Sequence, residues 1–321
     1  MTMARNTDLK NENEKMIRAV LYSGLDYSAA DLEEISGLSH GTVMNLLREF
    51  LERNEILLCE KRGNAIGRKT YRYRINPDSR RMCTVSIRRK QQGLYGTVSL
   101  RNLEGECLDT VETETFMEDV SGIRPSLDAM IQKHPDTDLI VVSTPGVCRS
   151  GVISLPTKQP YDLGTAITDT WNIPYVIEND VNVATIGFQY SSADIDHMAL
   201  IYQGGGRIIG CGIIIDGKLY NGASHAAGEL RWVPFMRDIE NRSDAQLLKD
   251  QILSAAAVLN PQVIAWYSDC VQEEITLTEE ELPLTQQPIL FQISDLDELI
   301  EKGMHSIGMH VFIENRGGTG K

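Results

Sequence analysis

The 321-residue chain has no apolar run near the roughly 18 to 20 residues that a membrane helix needs, which excludes a helical membrane protein. Its start, Met1 to Asn13, is polar and mixed in charge. No signal peptide is visible, so a cytoplasmic location is expected. The six cysteines, Cys59, Cys83, Cys107, Cys148, Cys211 and Cys270, never form a CxC or CxxC pair. That spacing argues against a metal cage and against the disulfide framework of a short secreted chain, and predicts reduced thiols, some of them buried. An excess of positive charge is also missing: the formal net charge is −14, which as an average argues against nucleic acid as a partner.

What is there changes that last conclusion. Hydrophobic residues make up 42% of a chain long enough for one small and one larger domain, or for three small ones. Residues 1 to 82 hold 14 Lys+Arg against 12 Asp+Glu, while the remainder holds 17 against 33. Within Lys61 to Arg74 there are six cations (Lys61, Arg62, Arg68, Lys69, Arg72 and Arg74) and no acid.

Apolar residues at Met16, Ile17, Val20 and Leu21 have helical spacing, and Gly24 ends that segment. Ser28 can cap a second helix, with Asp31 in its first turn and Leu32 and Ile35 facing inward. Gly37 makes a turn, and Ser39 can cap a third helix whose inner stripe is Val43, Leu46, Leu47, Phe50 and Leu51. This is a helix-turn-helix pattern. Fixing that stripe leaves His40, Gly41, Met44, Asn45 and Arg48 pointing outward, where a recognition helix meets base edges; Asn45 can pair bidentately with adenine. Two strand-like runs follow, Ile56 to Glu60 and Thr70 to Ile75, joined by a glycine-containing basic loop that suits phosphate and reads as a wing. Ser39, His40, Thr42, Asn45, Arg48, Arg68 and Lys69 are the expected DNA contacts. The plainer alternative is a small helical oligomerisation module with a solvated basic hairpin.

Past Asn76-Pro77, strands alternate with helices. Thr84 to Ile87, Tyr95 to Leu100 and Cys107 to Glu112 open as an antiparallel group, and Leu139 to Ser143 reads as a buried strand. Helices are expected around Val120 to Lys133 and Val181 to Tyr190, and strands at Ala199 to Tyr202 and Gly210 to Ile215, giving an α/β class. The predicted domains are 1–77 and 83–321.

Four segments carry a resemblance: Ser143-Thr-Pro-Gly-Val147, Ile173 to Ala184 with its Glu178-Asn179-Asp180, Gly210 to Tyr220, and Gly222 to Glu229. Together they resemble the ROK family of repressors and sugar kinases. Ser28 to Ser39, Gly67 to Pro77 and Leu259 to Ile264 are similar to that family as well, so the likeness covers nearly the whole chain. The resemblance implies an N-terminal winged helix-turn-helix followed by a two-lobed, actin-like ATPase (sugar kinase-like) fold with a sugar in its cleft. It further implies that Asn179, Asp180 and Glu229 bind sugar hydroxyls, that Gly146 shapes the pocket wall, and that Asp180 stands where the kinases keep their general base. Taken alone, Glu178-Asn179-Asp180 reads more simply as a polar helix cap.

Departures from the family pattern point away from catalysis. The first phosphate loop, in the kinases an acid, two glycines and a threonine, is Ser86-Ile-Arg-Arg-Lys-Gln91 here, and the second glycine-rich turn is Gly206-Arg-Ile-Ile-Gly210. Bulky Arg88 and Arg89 are expected to fill the phosphate position, so no cofactor is expected. The family's histidine after the AGE motif falls on Trp232, which offers a stacking face or serves as a core or interface residue, and the zinc-binding cysteine cluster is missing, so no metal is expected. The expected protein is a non-enzymatic repressor that binds operator DNA and a sugar or sugar-phosphate effector, as a homodimer or higher homo-oligomer reading half-sites about one helical turn, or a multiple of it, apart. A ligand-blind DNA-binding dimer and an active sugar kinase are the competing readings.

Overall fold

A computed structural model describes residues 2–62, 70–90, 93–117, 119–155, 158–192, 194–205, 208–234, 236 and 241–314. Its first part is α1 (Thr2–Leu21), β1 (Tyr27–Ser28), α2 (Ala29–Ser36), α3 (His40–Glu52), β2 (Ile56–Arg62) and β3 (Thr70–Ile75), with the three strands in the order β1-β3-β2. Local chemistry sets the helix ends. The Ser28 hydroxyl accepts the Asp31 amide at 3.2 Å and the Asp31 carboxylate accepts the Ser28 amide at 2.8 Å, a reciprocal capping box. Gly37 ends α2 in the left-handed region at φ 68°, which a Cβ disfavours. Ser39 then caps α3, and Val43, Leu46, Leu47 and Phe50 are buried on one stripe against Ile17, Leu21 and Leu32.

Three details depart from the periodicity. Ile35 and Leu51 are exposed, because each lies at the end of its helix beyond the packed residues, and Met44, expected outside, packs partly against the core. α1 begins far earlier than its apolar residues suggest. Its second half is held by charge as well as apolar packing: Arg18 is buried between Glu14 (2.9 Å) and Glu55 (3.1 Å), and Arg53 also reaches Glu55 at 3.0 Å. The Arg18 and Arg53 guanidinium groups each lie 5.1 Å from the Phe50 ring centre. The short β1, pairing with β3, has no signature a two-residue strand can carry.

After a turn at Pro77–Ser79 come β4 (Met82–Lys90), β5 (Gly93–Arg101), β6 (Cys107–Met117), α4 (Arg124–Lys133) and β7 (Leu139–Thr144). A small three-stranded sheet of β8 (Val147–Arg149), β9 (Val152–Ser154) and β10 (Tyr161–Asp162) follows, then α5 (Leu163–Trp171), β11 (Tyr175–Asn179) and α6 (Asp180–Tyr190). The first large sheet has the order β11-β7-β4-β5-β6: antiparallel among β4, β5 and β6, parallel from β4 through β7 to β11. All six residues of β7 are buried, as a central parallel strand covered on both faces requires.

The second large sheet contains β12 (Met198–Gly204), β13 (Ile208–Ile215), β14 (Lys218–Leu219), β15 (Val263–Ser268) and β16 (Ile289–Gln292), in the order β14-β13-β12-β15-β16. α7 (Asp244–Leu259) covers one of its faces, burying Leu248 and Ile252 beside Ile264 and Trp266. α6 and α8 (Leu296–Glu314) join the two lobes: Val183, Phe188, Leu299, Ile300 and Met304 form one apolar cluster with Met82 and Val141 of the first sheet and Met198 and Leu200 of the second. α8 also reaches α1, where Lys15 pairs with Glu314 at 2.7 Å. The expected strands and helices of this half are all present, most of them longer than predicted; α5, α8 and the strands β8 to β11, β14 and β16 were not anticipated.

Candidate functional site

Between the lobes lies a cleft of about 250 Å³, lined by the ends of β7 and β11, the start of α6, the β12–β13 region and the 225–231 segment. At Gly146 the chain leaving β7 turns with φ 97°, and a Cβ there would stand 2.6 Å from the Ser154 carbonyl oxygen. Only glycine fits that wall.

Asn179 ends β11 and caps α6. Its side-chain oxygen accepts the amides of Val181 (3.0 Å) and Asn182 (3.2 Å), and its Nδ2 donates to the Gly146 carbonyl at 3.0 Å. The residue therefore ties two cleft walls together, and the plain helix-cap reading describes its contacts. Glu178 accepts from Asn182 at 2.9 Å, and Asn182 donates on to Asn221 at 3.1 Å, which fixes the cleft face of α6's first turn.

Asp180 is buried in the cleft, 8% exposed. Burial pushes its carboxyl above the usual range, opposed by the charges of Arg88 and Arg89 and by the Val181 amide. A raised carboxyl contributes stability below the unfolded value near 3.8 and loses it as pH rises through the folded one. Asp180→Asn keeps the acceptor for the Val181 amide and removes the charge. Its thermal midpoint is expected to gain on the parent's as pH rises from 4 to 8, and a pH-independent gap in paired melts would contradict a desolvated Asp180.

Gly146, Asn179, Asp180 and Glu229 are thus brought to one cleft. Glu229 is paired with Arg231 at 3.0 Å. Trp232 is not with them: it is 74% exposed and does not line the cleft, its ring 5.0 Å from the Arg231 guanidinium. The turn at Leu230–Trp232 aims it outward, so neither a stacking face over a cleft ligand nor a core residue describes it. A histidine does line the cleft, but it is His225, held at φ 58°. Tyr202, Asn182 and Arg231 line it as well; Asn182 stood inside a quoted motif, Tyr202 at the end of an expected strand and Arg231 just past the Gly222 to Glu229 motif, and none was singled out.

The two arginines of the altered phosphate segment part company. β4 runs unbroken through Lys90, Arg88 opposite Tyr95 and Arg89 opposite Leu94 in the ladder with β5. Successive residues of a strand face opposite sides. Arg89 lines the cleft, whereas Arg88 pairs with Asp297 of α8 at 3.4 Å, which corrects the expectation that both fill one position. Gly206 and Arg207 of the second turn lie outside the described residues, as does the side chain of Lys90.

On α3, Ser39 and Thr42 are engaged with each other: the Ser39 hydroxyl accepts the Thr42 amide at 3.3 Å and lies 2.9 Å from the Thr42 hydroxyl. His40, Asn45 and Arg48 are exposed, with His40 Nδ1 2.5 Å from Glu33. Arg68 and Lys69 lie outside the described residues. All six cysteines are free thiols, and burial pushes those of Cys83 and Cys211 up to about 12, which makes them unreactive. Among the described residues no cluster of three or more His, Cys, Asp or Glu could hold a metal, and no helix is long and apolar enough to cross a membrane.

Residues 93–238 match the model of the ROK family. The xylose repressors of Bacillus subtilis and Caldicellulosiruptor bescii are 24% and 25% identical to the chain over 247 and 243 residues, which is 72% and 71% of this chain and 62% and 60% of theirs. The chain therefore spans about three fifths of the length of the curated relatives it matches. Among solved structures, a ROK family transcriptional regulator described as a homolog of the E. coli MLC protein superposes with a TM-score of 0.65 at 17% identity, over 95% of this chain and 99% of that one. A ROK family protein from Streptococcus pneumoniae in complex with sucrose gives 0.52 at 16%, over 70% and 97%. At such identities the superpositions speak for the fold, an actin-like sugar kinase fold. The matched residues run from β5 through the cleft to its 225–231 wall, so this part of the chain carries a ROK family domain.

Proposed function

We propose that the protein is a sugar-responsive transcriptional repressor: residues 1–77 form a winged helix-turn-helix that binds operator DNA, and residues 83–321 hold an effector in the interlobe cleft and assemble a homodimer. The observation that carries the reading is α3 itself. It follows α2 through a left-handed Gly37, is capped by Ser39, and leaves His40, Asn45 and Arg48 free of the core beside a hairpin rich in Lys and Arg. The xylose repressors among its relatives support a sugar as effector, and of carbohydrate genes as targets. Asp180 survives from the kinase pattern, but a continuously paired β4–β5 strand with arginines replaces the glycine loop that phosphoryl transfer needs for positioning. ATP-coupled turnover of hexoses and pentoses is accordingly expected to be absent.

The test is fluorescence anisotropy on operator DNA across a salt series. Affinity should fall steeply with salt, and replacing Arg68 and Lys69 by alanine should lower the log–log slope by about 2, one for each phosphate contact. Asn45→Ala should cost about 1 to 3 kcal/mol at one operator position and leave nonspecific binding nearly intact. Unchanged slope and affinity in the double variant would remove the wing from the interface.

A second reading has its own support: Asn179 is committed at both ends of its amide and Glu229 is already paired, as in a cleft that satisfies itself without ligand. Thermal shifts against a sugar and sugar-phosphate panel separate the two. A true effector at 100 times its dissociation constant adds about 2.7 kcal/mol, and a flat panel favours a ligand-blind dimer.

A further inference from the structure

A second cavity, of about 240 Å³, opens between the outer face of β4, β5 and β6 and helix α8, and it shares no lining residue with the cleft. The strand register makes it mostly polar, with Glu112 of β6 and Met304 of α8 also on its wall. Ser86 lies opposite Thr97 on neighbouring strands, both line the cavity, and Arg88 and Arg101 close its two ends. The two side chains are mostly buried, 18% and 14% exposed, and neither is fully satisfied: beyond their ion pairs and the bond from Arg101 Nη1 to the Gly105 carbonyl at 3.0 Å, Arg88 Nη1 and Arg101 Nε are buried without a hydrogen-bond partner. Buried donors are normally paired, and two orphans of the same chemistry in one cavity are an exception with a direction.

The carboxylates that do face these arginines are poorly placed to satisfy them. Asp297 and Glu301, one turn apart on α8, approach at 3.4 and 3.1 Å but are 72% and 57% exposed, so either can return to water with little loss. Guanidinium groups select planar or tetrahedral oxyanions because their N–H groups form a fixed fork. We propose that this cavity is a binding site for the phosphate or carboxylate of a small metabolite, held by Arg88 and Arg101 with Ser86 and Thr97 as neutral partners, and separate from the cleft ligand. The site is independent of whether the protein binds DNA. One wall, with Asp297, Glu301 and Met304, is α8, the helix that packs against α6 and reaches α1, so an occupant bears directly on the element joining the lobes.

The test is calorimetric titration of the full chain, in an oxyanion-free buffer at constant ionic strength, with inorganic phosphate, with acetate and with chloride. Saturable binding of phosphate or acetate but not chloride is expected, and the stronger of the two names the group. Arg101→Gln should weaken it at least tenfold. Asp297→Asn and Glu301→Gln, surface changes that leave the fold intact, should tighten it several-fold, because they remove the competing carboxylates. Arg89→Gln, in the cleft, should leave it unchanged. No saturable binding to the Asp297→Asn and Glu301→Gln proteins would overturn the proposal, as would binding lost with Arg89→Gln and retained in Arg101→Gln, which would assign the anion to the cleft.

Discussion

Arg18→Ala is expected to lower stability by about 3 to 5 kcal/mol, the range for removing one partner of a buried ion network. Arg18 is the cation between Glu14 and Glu55, and all three are buried. The alanine variant leaves two carboxylates in the interior with only Arg53, at 3.0 Å from Glu55 and 3.6 Å from Glu14, to share between them. The guanidinium also packs over Phe50, so apolar contact is lost with the charge. The loss falls on one joint: Glu14 and Arg18 belong to α1, Phe50 to α3, and Glu55 to the turn that leads into β2. Urea denaturation followed by circular dichroism measures it. A change below about 1 kcal/mol would mean that water reaches the two carboxylates once Arg18 is gone. Exchanging all three charged residues for apolar ones of similar size should be far milder than the single change, since no charge is then left buried.

Gly303→Ala is expected to cost at least about 3 kcal/mol, at or beyond the upper end of ordinary overpacking. A Cβ on Gly303 would stand 1.9 Å from the Val183 carbonyl oxygen, and one on Gly187 would stand 1.9 Å from that of Leu299. These are backbone atoms of the opposite helix. No rotamer change relieves them, so α6 and α8 must separate. Because α6 begins with the Asn179–Asp180 turn, separation also moves the cleft wall, and the variant should lose cleft ligand binding even where it remains folded. Gly41→Ala is the control: nothing lies within 4 Å of its Cβ position on α3, and alanine there should be neutral or stabilising by up to about 1 kcal/mol. Equal effects at Gly303 and Gly41 would show that the α6–α8 contact is not close-packed.

Much of this molecule is written in short segments, and those were legible. Ser28 with Asp31, Gly37 and Ser39 define the ends of α2 and α3 because each needs only its neighbours within four residues to act. A polar helix cap was likewise the plain reading of Glu178-Asn179-Asp180, although it rested on Asp180 before the apolar run, and the capping residue is Asn179, one position earlier. The strand runs in both lobes follow from apolar alternation and buried stretches such as Leu139 to Ser143. The four cleft residues Gly146, Asn179, Asp180 and Glu229 were found through motifs that sit at the ends of strands, where the chain turns toward the interlobe space.

Other features depended on partners far away in the chain. Ile35 and Leu51 match the helical period yet are exposed, since burial is decided by what packs over the end of a helix and not by the period itself. The second half of α1 is held in place partly by Glu55, 37 residues beyond Arg18, which completes its ion network. Trp232 took the position of the family's histidine in sequence, but a turn at Leu230–Trp232 points it to solvent and leaves His225 in the cleft.

By itself, then, the sequence determined the class of the fold, the caps and turns of its helices and the basic polarity of the N-terminal segment, because these arise from interactions a few residues long or from composition. Only the tertiary structure decided that Arg88 and Arg89 serve different cavities, that Gly187 and Gly303 let two helices touch backbone to backbone, and that a buried Arg18 holds the first helix in place. Each of those is a contact between segments remote in sequence, and its energy depends on distances and desolvation that exist only once the chain has folded.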